Sequence, residues 1–228
     1  MQCIILAAGE GTRMGELTKN CPKPMLPVRG RAKLAYTIEG LPSEINEVIL
    51  IVGYLQEQIR DFFGKEYQGR KIKYIEQKEL NGTAGAVDLA KNIVRDRALI
   101  LMGDDLYLKS DLEKLLKYPQ AILVYKTNQA EQFGLVDIDK ESNLTAVIER
   151  PHGQSKGLVN TGAYVLSPEY FQTPLVPISK IEFGLPQTLV SMYPQYKTKV
   201  VVTNKWLPIG SPENLKLAEA QIDKFMQN

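Results

Sequence analysis

Through its first hundred residues the chain alternates short aliphatic runs with stretches of helical spacing, and this alternation restricts the possible folds more than any other feature. Residues 2–6, 47–52 (EVILIV), 71–75 and 98–102 (ALILM) are rich in aliphatic and β-branched side chains and have strand length. Between them, residues 32–41, 56–63 and 83–95 place apolar side chains three and four apart, the spacing of an amphipathic helix. Strand–helix–strand units connect by right-handed crossovers, which predicts an α/β fold with a mainly parallel central sheet and helices on its faces. From residue 105 the pattern becomes richer in strands, at 121–125, 134–139, 144–149, 161–166 and 199–203, with a hairpin turn at 137–143 (DIDKESN). These predict antiparallel additions that make the sheet mixed. A closing helix is predicted from Pro212, with Ser211 as its cap.

A chain of 228 residues, 44% hydrophobic, suffices for one substantial core. The reading is a single domain over residues 1–228, in two halves at 1–110 and 111–228. A net charge of only +2, with the cations dispersed, argues against a nucleic-acid partner and leaves anionic small molecules open. No apolar run reaches the roughly 18 residues of a membrane span, and no cationic leader precedes the first apolar run. Cys3 and Cys21 flank a glycine-rich loop and are expected as reduced thiols, in keeping with a cytoplasmic location.

That loop is the first candidate site. Directly after the first strand come Leu6, Ala7, Ala8, Gly9, Glu10, Gly11, Thr12, Arg13 and Met14. Glycines and small residues let backbone amides approach phosphate oxygens, and Arg13 adds a planar fork suited to bridging them. Lys23 follows between Pro22 and Pro24, whose rings stiffen the backbone that aims the ammonium. Met14 stands where a dinucleotide fingerprint needs its third glycine, and no Gly-Lys-Ser/Thr occurs, so neither that motif nor a P-loop is present.

Strand, L-A-A-G-x-G-T-R-M and then P-K-P-M-L-P-V resembles the signature of the sugar-phosphate nucleotidyltransferase family, which includes glucose-1-phosphate thymidylyl- and uridylyltransferases. The likeness extends over nearly the whole chain. It implies a Rossmann-like nucleotide-diphospho-sugar transferase fold. It also implies Mg²⁺-dependent attack of a sugar 1-phosphate on the α-phosphorus of a nucleoside triphosphate, with release of pyrophosphate. Under this resemblance the loop from Leu6 to Arg13 holds the triphosphate, and Arg13, Lys23 and Asp104 are catalytic.

Further positions follow from the same resemblance. Gln77, with Gly82 and Thr83 in Gly-Thr-Ala-Gly-Ala, is similar to the base-recognition segment; an amide that both donates and accepts suits uracil or thymine, so UTP or dTTP is expected. Asp104, in Gly103-Asp104-Asp105, matches the family metal ligand, with Asp105 as an assistant. Gly134, Glu149, Arg150, Asn160 and Glu182 correspond to sugar-phosphate contacts, with Arg150 where relatives carry lysine. Pro208, in Trp206-Leu207-Pro208-Ile209-Gly210, stands where relatives have a second metal-binding aspartate. This leaves three options: Mg²⁺ held by Asp104 and the substrates, help from Asp105, or weakened catalysis. His152 is read as a solvated loop residue.

A sugar phosphate is already ionised at neutral pH, so no general base and no covalent intermediate are expected; positioning and charge stabilisation carry the reaction. Two rival readings stand beside this one, a CTP-dependent cytidylyltransferase for phosphocholine or a polyol phosphate, and a non-catalytic nucleotide-sugar-binding regulator. Family members often assemble, so a homo-oligomer is open. The chain ends soon after the helix from Pro212, and no acyltransferase domain is expected.

Overall fold

A computed structural model describes residues 1–226, so the last two positions of the single-domain expectation lie outside the described residues. Strand β1 (Gln2–Ala7) leads into the glycine-rich loop and two 3₁₀ segments, Thr12–Thr18, kinked at Gly15, and the single turn Lys23–Met25. A short ribbon of β2 (Pro27–Val28) and β3 (Arg31–Ala32) precedes helix α1 (Lys33–Glu39). Then follow β4 (Glu47–Val52), α2 (Gln56–Phe63), β5 (Glu66–Tyr67), β6 (Arg70–Glu76), α3 (Gly82–Asp88) and β7 (Ala98–Met102). Strands β7, β1, β4 and β6 lie side by side in that order, all parallel, as the alternating pattern requires.

The second half contributes β8 (Asp105–Tyr107), α4 (Lys109–Leu115), β9 (Ala121–Thr127), β10 (Leu135–Ile138), β11 (Leu144–Ile148) and β12 (Gly157–Leu166). It closes with α5 (Leu185–Ser191), β13 (Lys199–Thr203), β14 (Trp206–Pro208), α6 (Pro212–Gln221) and α7 (Asp223–Met226). Strand β12 runs antiparallel to β7 and so joins both halves into one mixed sheet of ten strands. Strands β8 and β14 form a separate antiparallel pair in which Pro208 faces Asp105.

The two-residue period of β1 divides the core. Cys3 and Ile5 pack with Leu34, Ile38, Leu50 and Leu101 on one face, while Ile4 packs with Ile49, Ala84, Val87 and Ile100 on the other. Each fully buried aliphatic side chain contributes about 1.5–3 kcal/mol, so both faces are firmly anchored. Ser211 accepts a hydrogen bond from the Asn214 amide at 3.3 Å, with Pro212 in the first turn, as its cap position predicts. The turn before β11 is organised by Asp139, whose Oδ1 accepts the amides of Glu141 and Asn143, both at 2.9 Å.

Two elements differ from expectation. The helix predicted at 83–95 ends at Asp88, beyond which Ala90, Lys91 and Ile93 donate to carbonyls three residues back, a tighter turn than an α-helix. Leu89 and Ile93 are exposed there, while Ala90 and Val94 still pack against the core, so the apolar spacing beyond Asp88 is used only in part. Strand β12 starts at Gly157, four residues before the predicted 161, because Gly157 to Asn160 pair with Val124 to Thr127. Its register shifts between Asn160 and Tyr164, and the resulting bulge lies beside Met102. No helix among the described residues is long and apolar enough to cross a membrane.

Candidate active site

The carboxyl ends of β1 and β7 open onto a cleft of about 350 Å³, adjoining a second of about 810 Å³. Open parallel sheets bind ligands at this end because the strand-to-helix loops gather there. Leu6, Ala7, Ala8, Gly9, Gly11 and Thr12 line the first cleft, with Lys23 and Gln77. Gly134, Glu149, Arg150 and Asn160 line the second, with Asp105. Arg13, Gly82, Thr83, Asp104 and Glu182 border both, so the two clefts meet at a cation, two carboxylates and the start of α3. The sequence-predicted residues thus come together from five separated stretches of chain.

Local geometry explains the loop. Thr18 Oγ1 donates to the carbonyls of Gly11 and Gly15, at 3.1 and 3.2 Å, and closes the first turn. Gly11 sits at φ 68°, and a Cβ there would meet Lys23 Cβ at 2.8 Å, so only glycine allows Lys23 to lie against the loop. Lys23 is 7% exposed, and its Nζ is ion-paired with Asp104 Oδ2. Asp104 arrives because the Gly103 amide donates to the Leu6 carbonyl at 2.9 Å, tying the end of β7 to that of β1.

Burial acts to raise the Asp104 carboxyl, but the charges of Lys33 and Lys23 outweigh it and hold the group below its usual value. Its neighbour behaves oppositely. Burial and the Asp104 charge push Asp105 up to about 8, against a hydrogen bond from the Trp206 indole N–H at 3.0 Å. Asp105 is buried, and its Oδ2 also accepts from the Tyr107 hydroxyl at 3.4 Å. For a magnesium ion the arrangement offers the Asp104 carboxylate, at the border of both clefts, with the buried Asp105 beside it on the wall of the second. Pro208, opposite Asp105, has no donor atom, and no cluster of three or more His, Cys, Asp or Glu able to hold a metal exists among the described residues. One carboxylate together with phosphate oxygens and water fits magnesium, which dehydrates reluctantly. It does not make a cage of protein ligands.

The far side of the site depends on a long-range dock. Phe183 donates its amide to the Asn81 carbonyl at 2.9 Å and accepts from the Ala84 amide at 3.0 Å. Thr83 Oγ1 accepts from the Leu185 amide at 3.1 Å. This clamps residues 181–185 onto the first turn of α3 and brings Glu182 to both clefts. Gln77 is buried, and its amide Nε2 donates to Asn81 Oδ1 at 3.0 Å. Glu149 Oε1 accepts from Gln187 at 3.0 Å, and its other oxygen lies 3.3 Å from where a Cβ on Gly134 would be. Asn160 accepts the Gly162 amide at 2.9 Å and donates to the Tyr164 hydroxyl at 2.6 Å, which fixes its side chain at the bulge.

Some residues were not visible from sequence. Asn81, which orients Gln77, and Trp206 and Tyr107, which hold Asp105, owe their roles to contacts between distant segments. Lys33 is fully buried near Asp104 and Asp105; its one signal is its position in a seven-residue helix that buries most of its other side chains. His152 departs from expectation. It is half-buried, its Nε2 lies 3.0 Å from the Phe133 carbonyl, and it fastens the 150–156 loop without lining either cleft.

Comparison with known proteins supplies independent findings. The family described as nucleotidyl transferase matches residues 2–224. The bifunctional protein GlmU of Methanocaldococcus jannaschii is 36% identical over 217 residues, covering 93% of this chain and 52% of that protein. The chain therefore spans about half the length of such relatives. The D-glycero-alpha-D-manno-heptose 1-phosphate guanylyltransferase of Campylobacter jejuni is 34% identical, with 94% of this chain and 96% of that one covered. Among solved structures, HddC from Yersinia pseudotuberculosis superposes with a TM-score of 0.77 at 26% identity, covering 97% of this chain and 99% of that one. A Bacillus anthracis protein assigned as a glucose-1-phosphate thymidylyltransferase superposes at 0.87 and 21% identity, covering 96% and 94%, a likeness of fold.

Proposed function

The chain belongs to the sugar-phosphate nucleotidyltransferase family, and we propose that it transfers a nucleoside monophosphate from a triphosphate to a sugar 1-phosphate, releasing pyrophosphate. The observation that carries this reading is the meeting of two clefts at Arg13 and Asp104, with Lys23 of the first cleft ion-paired to Asp104. In-line displacement at an α-phosphorus needs both substrates held end to end with cations at the junction. The adjoining clefts support that arrangement, which needs no nucleophilic side chain.

In this reading the loop from Leu6 to Thr12 cradles the triphosphate in the first cleft, with Gln77, Gly82 and Thr83 against the base. Gln77 gives its amide hydrogen to Asn81, which leaves its carbonyl oxygen to accept the imide N–H of uracil or thymine. UTP or dTTP is accordingly the preferred triphosphate. In the second cleft Glu149, Asn160, Glu182 and the Gly134 backbone take sugar hydroxyls, and Arg150 takes the sugar phosphate. Lys23 bridges the attacking phosphate and the α-phosphate, where charge crowds in the transition state. Asp104, with Asp105 beside it, would hold magnesium, which would supply further charge neutralisation. Two free thiols, Cys3 and Cys21, suit a reducing cytoplasm.

A second reading has a specific observation in its favour. Phe133, Tyr164 and Trp206 line the second cleft with Glu149 and Glu182, an aromatic and acidic wall of the kind a quaternary ammonium favours. Phosphocholine with CTP is the corresponding pair. Pyrophosphate release from a panel of the common nucleoside triphosphates against sugar 1-phosphates and phosphocholine tests both. Turnover with UTP or dTTP and a sugar 1-phosphate, lost in chelator, is the expected result. Turnover with phosphocholine alone would replace the first reading by the second, and binding without turnover across the panel would make the chain a nucleotide-sugar-binding protein.

A further inference from the structure

Helix α1 turns one face toward β8, and that face carries polar groups. Thr37 Oγ1 donates to the Asp105 carbonyl at 3.4 Å. One turn earlier, Lys33 is completely buried, and its Nζ has no hydrogen-bond partner. A buried ammonium is costly unless opposite charges surround it. The charges acting on it are those of Asp104, Asp105 and Lys23. Lys33 lines neither cleft and lies on the α1 face that Thr37 ties to β8, so it is on the core side, while Asp104 borders both clefts.

Asp104 is met by two ammoniums, Lys23 ion-paired with it and the buried Lys33, which leaves no surplus negative charge there to attract a cation. When Lys23 turns to substrate phosphate, Lys33 stays behind Asp104 as its standing counter-charge. Among the described residues no third acidic ligand joins the pair, and Pro208 faces Asp105 across the strand ladder.

We propose that Lys33 is a built-in counter-cation of the Asp104–Asp105 pair: it makes the free protein a poor binder of divalent metal, so that the ion enters with the triphosphate. Lys33 touches no substrate and acts through Asp104, as a positioning residue. This rests on the assignment of Asp104 as the metal-facing carboxylate, but not on which substrates react.

The test uses Mn²⁺, which takes the same oxygen ligands as Mg²⁺ and is counted directly by electron paramagnetic resonance on the full chain without nucleotide. Wild-type protein should bind it only in the millimolar range. Lys33→Met removes the charge at nearly constant shape and should tighten binding by about tenfold or more, the effect of a single neighbouring charge on a carboxylate. Lys33→Gln offers the same neutralisation if the methionine variant fails to fold, and Lys33→Arg, which keeps the charge, should remain as weak as wild type. Equal Mn²⁺ affinity in the wild-type and neutral variants overturns the proposal, as does micromolar binding by the wild type. A gain that survives an added Asp104→Asn change also overturns it, by removing Asp104 from the coordination. Because no turnover is measured, failure here is distinct from failure of the proposed reaction.

Discussion

Replacing Gly82 with alanine tests how the two clefts are held together. Gly82 has φ 86°, and an added Cβ would lie 2.4 Å from the Phe183 carbonyl oxygen and 2.7 Å from its amide nitrogen. Real Cβ contacts stay above roughly 3.0 Å, so Phe183 would have to retreat by at least about 0.6 Å. The strained φ costs about 1–2 kcal/mol. The retreat also stretches the bonds from Ala84 to the Phe183 carbonyl and from Phe183 to the Asn81 carbonyl, each contributing about 1 kcal/mol. The expected destabilisation is about 2–4 kcal/mol, measured as the shift of the urea unfolding midpoint at unchanged slope. Displacing Phe183 also moves Glu182, and misplacement on the 1 Å scale lowers catalysis by about 10²-fold. Pyrophosphate release at saturating triphosphate should show a raised KM for the sugar 1-phosphate together with reduced kcat/KM. A variant within about 0.5 kcal/mol of wild type, with both KM values unchanged, would refute the dock between residues 181–185 and α3 as the device that positions Glu182.

Two other changes separate catalysis from stability. Lys23→Ala should lower kcat by about 10²–10³-fold, the cost of removing one preorganised cation at the transition state. It should leave unfolding within about 1 kcal/mol, because Lys33 still offsets the partly exposed Asp104; full activity would remove Lys23 from the mechanism. Asp105→Asn bears on pH. The folded-state value of Asp105, about 8, lies above its usual 3.8, so the stability associated with its proton is complete below pH 3.8 and is lost as pH rises through 8. Lys33, lowered to about 8, acts in the opposite sense and adds stability only above that pH. The asparagine variant cannot ionise, and its urea midpoint should gain on wild type between pH 4 and 8, by on the order of 1–3 kcal/mol at the upper end. A difference that stays constant with pH would rule out a protonated Asp105.

Much of this arrangement was legible before any coordinates, for reasons specific to each segment. The alternation of residues 2–102 prescribed parallel strands because period-two and period-3.6 burial are local properties of a sequence. Small residues and placed cations after β1 marked an anion loop, and all eighteen residues singled out by motif line one of two adjoining clefts. Ser211 and Pro212 announced the start of α6 because a helix cap satisfies its own first amides. Other features depended on partners distant in the chain. Spacing alone continued α3 past Asp88, but there only Ala90 and Val94 reach the core, Leu89 and Ile93 stay exposed, and the backbone tightens into turns. His152 looked solvated until the Phe133 carbonyl, brought near by the fold, gave it a partner. Glu182 reaches the site only through the Phe183 dock on Gly82. The charge balance around Asp104 is the clearest case. Lysine at position 33 belongs to no motif in the sequence, and only the packing of α1 on β8 buries it near the carboxylates. Chain pattern decides which segments become strands and which loop meets phosphate; the surroundings of a buried charge depend on long-range contacts, and those are set by tertiary structure.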